Sequence, residues 1–169
     1  MDTILLNNSI HNRKNFDCGN IALNNYLKLT ASQQSNKDNA RTYILEDKNH
    51  NDIIVGFYTL TIKNIDINSF PKKLQKKHLH NSSVALLARL AVDKKFSNQG
   101  IGSWLLVDAL KKLLNASDLI GFPLIVVDAK DGVAPFYEQF GFKSFNDDKN
   151  KLFISIADVR ASFLEKRDG

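Results

Sequence analysis

The residues whose types and spacing point most directly to chemistry are Gly100 and Gly102, in the loop Ser97-Asn98-Gln99-Gly100-Ile101-Gly102. Neither carries a Cβ, so the backbone there can turn tightly and come close to a ligand. A helix beginning at this loop would direct its unpaired N–H groups and the positive end of its dipole into the same space. Together these features make a cradle for an anion; the alternative is a tight connection between two packed elements. Two nucleotide-binding patterns are excluded. There is no Gly-x-x-x-x-Gly-Lys-Ser/Thr, and Leu105 interrupts a full Gly-x-Gly-x-x-Gly.

A second source of chemistry is charge. The chain of 169 residues carries a net charge of +5, with a pI near 9.3. Lys63, Lys72, Lys73, Lys76, Lys77, Arg89, Lys94 and Lys95 are opposed in their segment only by Asp66 and Asp93, a local excess larger than that of the whole chain. Such a segment is either a solvated surface or an attractor of polyanions, among them nucleic acid and coenzyme phosphates. His78 and His80 lie two apart, but no Cys or carboxylate stands near them, so no metal site is expected. The single Cys18 excludes an intramolecular disulfide framework and is either a structural thiol or a reactive one.

The elements that must position the glycine loop surround it directly. Residues 84–92 form a near-continuous apolar run, suited to a strand covered on both faces. Asp93, Lys94 and Lys95 make a basic turn. Beyond Gly102 the apolar period changes: Leu105, Ala109 and Leu113 fall four apart, as do Leu106, Leu110 and Leu114, giving one broad helical stripe.

The rest of the chain reads as alternating short strands and helices. Residues 3–6 suit a first strand. Ile21, Leu23, Tyr26, Leu27 and Leu29 suit an amphipathic helix capped by Asp17 or Asn20, fading into a polar loop over 33–39. Strands are expected over 42–45 and 53–62, with Gly56 marking a bulge or a close backbone contact. Residues 64–82 read as a long polar excursion in which Leu74 and Leu79 anchor a short surface helix. A strand over 122–128 follows the central helix, then a helix over 134–140 with Pro135 in its first turn, ended by Gly141. Residues 142–145 and 152–156 form a hairpin around a turn at 147–150, and 158–164 form a last helix. The length, an ordinary 43% hydrophobic content and the lack of a linker or repeat predict a single domain over residues 1–169. The class is α+β: a central mixed, mostly antiparallel twisted sheet flanked by helices. No stretch has the length of a membrane span and no signal-peptide pattern opens the chain, so a cytoplasmic protein is expected.

With these elements in place, the glycine loop resembles motif A of the GNAT superfamily of N-acetyltransferases, usually Gln/Arg-x-x-Gly-x-Gly/Ala after a strand. Ser97 stands where that family has Arg or Gln. Ala134-Pro135-Phe136-Tyr137-Glu138-Gln139-Phe140-Gly141-Phe142 resembles the family's motif B, Ala-x-x-Phe-Tyr-x-x-x-Gly-Phe, in the right order and with a strand between. The resemblance implies acetyl-CoA as cosubstrate, without a metal, and central strands that splay to admit the pantetheine arm. Backbone groups of Leu90, Ala91 and Val92 would pair with the pantetheine amides. Asn98, Gln99, Gly100, Ile101, Gly102 and Ser103 would hold the pyrophosphate. Tyr137 would be the catalytic acid that protonates the departing thiolate; without the motif it reads first as a core residue beside Phe136 and Phe140. The amide of Val92 would stabilise the developing oxyanion. No strong general base is evident, Glu138 and Asp128 being the nearest carboxylates, which suits an α-amine of pKa ~7.7 better than a lysine of ~10.4.

A narrower resemblance lies in residues 16–27 (Phe-Asp-Cys-Gly-Asn-Ile-Ala-Leu-Asn-Asn-Tyr-Leu), Arg41-Thr42-Tyr43 and Ala88-Arg89-Leu90-Ala91-Val92-Asp93. These are similar to the acetyltransferase toxins of bacterial toxin–antitoxin pairs, members of which acetylate the amino group of aminoacyl-tRNA and block translation. The resemblance implies an aminoacyl-tRNA substrate and a ribbon-helix-helix antitoxin; homodimers are frequent in that group. Arg89, Lys94 and Lys95 would meet the RNA near the site, and Lys72, Lys73, Lys76 and Lys77 farther along it. Two other readings stay open: a GNAT enzyme for small-molecule amines or protein N-termini, and a non-catalytic module that binds acetyl-CoA or RNA.

Overall fold

The computed structural model describes residues 1–78, 81–145 and 148–166. Among them run β1 (Ile4–Leu5), β2 (Arg41–Glu46), β3 (Ile54–Asp66), β4 (Asn81–Val92), β5 (Leu124–Asp128), β6 (Lys143–Phe145) and β7 (Asp148–Ser155). They form one sheet in the order β1-β2-β3-β4-β5-β7-β6. β1–β2, β2–β3, β5–β7 and β6–β7 pair antiparallel, while β4 and β5 pair parallel. Parallel neighbours need a crossover, and the long helix between them supplies it. The helices are α1 (Ile21–Asn25), α2 (Ala31–Asn36), α3 (Lys72–Gln75), α4 (Ile101–Ile120), α5 (Ala134–Glu138) and α6 (Ile156–Glu165). This is the α+β sheet-and-helix class expected from the sequence.

The chain divides into two compact units. One comprises Met1–Thr61 with Ala88–Ala109, the other Ile62–Leu87 with Leu110–Gly169. β3, β4 and α4 each contribute residues to both.

In the first unit the core gathers Phe16, Tyr26, Leu27, Ala31, Ile44, Ile54, Phe57 and Ala91. Asn20 caps α1 by accepting the N–H of Leu23 at 3.0 Å, as a short polar side chain does at a helix start. Asp17, the other expected cap, is engaged elsewhere. A π-helical turn, Tyr26–Thr30, joins α1 to α2, and the helical path continues to Asn36. The polar loop expected over 33–39 therefore begins later. The buried Ala31 anchors α2 while its polar residues face solvent. Ile21 and Leu29 are exposed, so the buried stripe is narrower than the apolar residues suggest.

Both expectations for Gly56 are met. Leu45 pairs with Gly56 and Glu46 with Ile54, so Val55 is an extra residue on β3, a bulge. A Cβ on Gly56 would stand 2.7 Å from Leu105 Cδ1 and 2.9 Å from the Ala91 carbonyl oxygen. Only glycine lets β3 lie so close to α4 and to the end of β4.

In the second unit the core gathers Ile65, Ile67, Phe70, Val84, Leu124, Val126, Phe145 and Phe153, with Leu74 and Leu86 packed against it. The expected polar excursion over 64–82 is corrected here. β3 runs on to Asp66, a 3-10 turn covers Ile67–Ser69, and β4 starts at Asn81. Ile65, Ile67 and Phe70 draw this segment into the core, and Ser83 Oγ donates to Asn64 Oδ1 at 2.9 Å. The expected α3 is present, whereas Leu79 and His80 lie outside the described residues. The turn expected over 147–150 is also corrected, since β7 already begins at Asp148, with Asp147 outside the described residues.

The ladder between β4 and β5 joins Ala85 to Ile125, Leu86 to Val126 and Leu87 to Val127. β4 then continues to Val92 with no further partner on β5 among the described residues, in keeping with splayed central strands. Val84, Ala85 and Leu87 are fully covered, which accounts for the unbroken apolar run.

Candidate active site

The backbone scaffold of the glycine loop is set by Asp93. Its carboxylate is buried and accepts the N–H of Asp17 at 3.0 Å and that of Lys95 at 2.9 Å. Its own N–H donates to the carbonyl of the bulged Val55 at 2.9 Å. A carboxylate that takes two backbone donors fixes both segments it touches, here the loop at Asp17 and the turn at Lys95. The 3-10 turn Lys94–Phe96 follows, closed by the Ser97 hydroxyl, which donates to the Lys94 carbonyl at 2.6 Å. Ser97 thus uses its side chain to finish the turn and does not direct it toward a ligand.

Two left-handed residues then reverse the chain, Asn98 at φ 60° and Gly100 at φ 74°. Asn tolerates this conformation better than most residues, and Gly adopts it freely. A Cβ on Gly100 would meet nothing within 4 Å, so the space above the loop is open. Among the described residues, the amides of Asn98, Gln99, Gly100, Ile101, Gly102 and Ser103 have no protein acceptor; the first amide of α4 that has one is Trp104, bonded to the Gly100 carbonyl at 3.1 Å. Open space, unpaired donors and the start of a 20-residue helix fit an anion such as a diphosphate. The sequence-predicted coenzyme residues of this loop are therefore brought together in the first unit. So are Leu90, Ala91 and Val92: Ala91 packs into the core, while Leu90 and Val92 alternate to the other face of β4 and stay half-buried.

The three basic residues placed near the loop differ sharply in their surroundings. Arg89 is half-buried, with its Cζ 3.8 Å from the centroid of the Tyr26 ring. Lys94 Nζ lies 2.6 Å from Asp17 Oδ2. The Asp17 carboxylate also accepts the Gly19 N–H and the Asn24 side-chain amide, each at 2.9 Å. The Lys94 bond, followed by those from Gly19 and Asn24, holds the Asp17 carboxyl well below the usual range, and the same pairing raises Lys94. Lys95 is exposed.

Tyr137 and the lysines of residues 72–77 belong to the second unit. α5 starts with Pro135 in its first turn and stops at Glu138, short of the expected residue 140; a turn follows it, in which Gly141 takes φ 92°. The Tyr137 carbonyl accepts the N–H groups of Phe140 and Phe142 at 2.9 and 3.4 Å, which fixes the turn below it. Its ring packs edge-on against Phe136 and Phe142, with centroids 5.1 and 5.6 Å away. Burial raises the phenol to about 12, so it stays protonated throughout the neutral range. Asp128 and Glu138 are exposed, and so are Lys72, Lys73, Lys76 and Lys77. Among the described residues no group of three or more His, Cys, Asp or Glu is placed to hold a metal ion. No helix of the described residues is long and apolar enough to cross a membrane.

Sequence reasoning missed the partners that fix these groups: Tyr26 under Arg89, Asp17 against Lys94, and Gly56 and Val55 behind Ala91 and Asp93. Each pairing joins distant parts of the chain, and no local spacing reports it.

Residues 38–144 match the model of the acetyltransferase (GNAT) domain. The chain is 31% identical to a tRNA-acetylating toxin of Mycobacterium tuberculosis, over 86% of this chain and 87% of that protein. Among solved structures it is similar to AtaT complexed with acetyl-methionyl-tRNAfMet, with a TM-score of 0.86 and 26% identity over 95% of this chain and 98% of that one. It is also similar to a Tyr→Phe mutant of the toxin AtaT bound to the C-terminus of the antitoxin AtaR and acetyl-CoA, with a TM-score of 0.80 and 26% identity over 95% and 96% of the two chains. The conjunction of an open amide loop at the head of α4, a buried tyrosine after β5 and these similarities has one reading: the chain belongs to the GNAT family and is an acetyl-CoA-dependent N-acetyltransferase.

Proposed function

We propose that the chain, acting as one domain over residues 1–169, moves the acetyl group of acetyl-CoA to the α-amino group of aminoacyl-tRNA and so blocks translation. In this reading it is the toxin of a toxin–antitoxin pair whose antitoxin carries a ribbon-helix-helix domain. The observation that carries the reading is similarity along nearly the whole of both chains to AtaT, captured with an acetylated aminoacyl-tRNA. The 31% identity to a tRNA-acetylating toxin supports it.

The residues have distinct roles. The amides of Asn98, Gln99, Gly100, Ile101, Gly102 and Ser103 hold the diphosphate, and the backbone of Leu90, Ala91 and Val92 pairs with the pantetheine arm. The Val92 N–H stabilises the oxyanion that develops as the amine attacks the thioester carbon. As the carbon–sulfur bond breaks, Tyr137 gives its proton to the sulfur. A phenol at about 12 is a weak acid toward a free thiol of pKa ~8.5. The same exclusion of water that raises the phenol also raises a buried thiol, so the gap narrows where the two meet. Exposed Lys95, with Lys72, Lys73, Lys76 and Lys77, contacts RNA phosphates, which makes binding steeply salt-dependent.

Induced expression of the chain is expected to arrest growth, and Tyr137→Phe to relieve the arrest. Loss of a positioned general acid slows the reaction by about 10²- to 10⁴-fold. A well-expressed Tyr137→Phe protein with undiminished toxicity would contradict the role given to Tyr137.

A further inference from the structure

Arg89 is held in an unusual way. Its guanidinium carries five N–H donors, and no acceptor among the described residues takes any of them. Half-buried polar groups ordinarily find such partners, because leaving them unpaired is costly. What holds this one is the face of Tyr26, 3.8 Å from Cζ. An aromatic face attracts the cation while leaving its N–H edge free.

Tyr26 is itself rigidly set. It is only 8% exposed and stacks on Phe57, with ring centroids 6.5 Å apart and planes 18° from parallel. It opens the π-helical turn, where the Ala31 N–H reaches back to the Tyr26 carbonyl. The wider turn brings the consecutive residues Tyr26 and Leu27 both into the core. Such turns recur at functional sites. The ring is thus a fixed platform, and the guanidinium on it is preorganised.

We infer that Tyr26 is a positioning residue that holds the Arg89 fork ready for one phosphate of the acceptor, the phosphate on the 5′ side of the terminal adenosine. The inference rests on the aminoacyl-tRNA reading above and names the part of that substrate which Arg89 recognises. A planar fork with free donors matches two phosphate oxygens, which a lysine ammonium cannot do. Arg89 stands three residues before Val92 on β4, roughly 10 Å along the strand. That interval is on the scale of one nucleotide with its aminoacyl ester. A phosphate gripped at Arg89 therefore sets the reach of the amine toward Val92.

The test uses two minimal acceptors bearing the same aminoacyl group, 3′-aminoacyl adenosine and its 5′-phosphorylated form. Wild-type protein is expected to prefer the phosphorylated acceptor in kcat/KM by about tenfold or more. Arg89→Ala and Tyr26→Leu should each erase the preference, and the double variant should lose nothing further. Tyr26→Phe, which keeps the aromatic face, should retain most of it. Arg89→Lys leaves Tyr26 untouched and keeps the charge, so it reads the fork even where Tyr26→Leu folds poorly; it should lose most of the preference. A Tyr26→Leu protein with lowered thermal stability but an unchanged preference would make Tyr26 a packing residue and overturn the inference, as would full preference in Arg89→Lys. Wild-type protein that acetylates aminoacyl-tRNA but does not distinguish the two minimal acceptors overturns this inference alone. Wild-type protein that acetylates no aminoacyl-tRNA overturns the acceptor reading, and the inference with it.

Discussion

Lys94 Nζ and Asp17 Oδ2 are 2.6 Å apart, so a cation that the sequence assigns to RNA is already paired within the protein. The pair is reinforced through the backbone, where the Lys94 N–H donates to the Asp17 carbonyl at 2.9 Å and the Asp17 N–H to Asp93. The turn that leads into the glycine loop is thereby tied to the segment ahead of α1.

Lys94 and its neighbour Lys95 should consequently behave differently on substitution. Lys94→Ala is expected to raise the KM for acetyl-CoA several-fold while leaving the salt dependence of RNA binding unchanged. Lys95→Ala should reduce the slope of log binding constant against log salt by about 1, with little effect on the coenzyme. Steady-state kinetics with each substrate, repeated across a salt series, separates the two; a lost salt increment in Lys94→Ala would return that residue to the RNA surface.

Gly56 should tolerate no side chain without cost. An added methyl group would press on both Leu105 Cδ1 and the Ala91 carbonyl oxygen, at 2.7 and 2.9 Å. Gly56→Ala is expected to destabilise the fold by about 1–3 kcal/mol. Leu105→Val in the same chain should recover only part of this, because the Ala91 carbonyl is backbone and cannot withdraw. Urea denaturation of the single and double variants measures both effects, and full recovery would show that the close approach to β4 does not matter.

Much of this was legible in the sequence because it is local. The apolar run of β4, the four-residue spacing along α4 and the two glycines between them all act within a few residues of one another. So do Pro135 at the start of α5 and Gly141 in the turn that follows it. What the sequence did not reveal depends on partners far along the chain. The segment from Asn64 to Ser82 reads as polar by composition, yet Ile65, Ile67 and Phe70 are enough to fold its first part into a core. Ser97 looks like a lost ligand contact, whereas its hydroxyl closes the turn at Lys94. Arg89 looks like one cation among many until the ring of Tyr26 is found beneath it.

The pH dependence of catalysis should be governed by the acceptor amine. Burial raises Tyr137 to about 12, above its ordinary value, so the acid form persists across the working range and its loss does not limit activity below that pH. An α-amino group must lose its proton before attack, with a pKa near ~7.7. The profile of kcat/KM should therefore rise through about pH 7–8 and stay level toward pH 10. A falling limb near pH 9 that disappears in Tyr137→Phe would mean that the phenol is not raised.

His11 should be needed for stability and not for chemistry. Its Nδ1 accepts the Asn7 N–H at 2.9 Å, so the ring proton sits on Nε2, which donates to Glu46 Oε1 at 2.9 Å. The ring is buried, at 4% exposure, and its removal strands a backbone donor. His11→Ala is expected to cost about 1–3 kcal/mol. Thermal denaturation checks this, and an unchanged melting temperature would mean that water replaces the ring without loss.

The most direct measurement is incubation of the purified protein with labelled acetyl-CoA and total charged tRNA, followed by nuclease digestion and identification of the labelled product. Label is expected on the α-amino group of an aminoacyl adenosine, with a large loss of that label in Tyr137→Phe. Label found only on free amines or protein N-termini, with none on any aminoacyl adenosine, would contradict it.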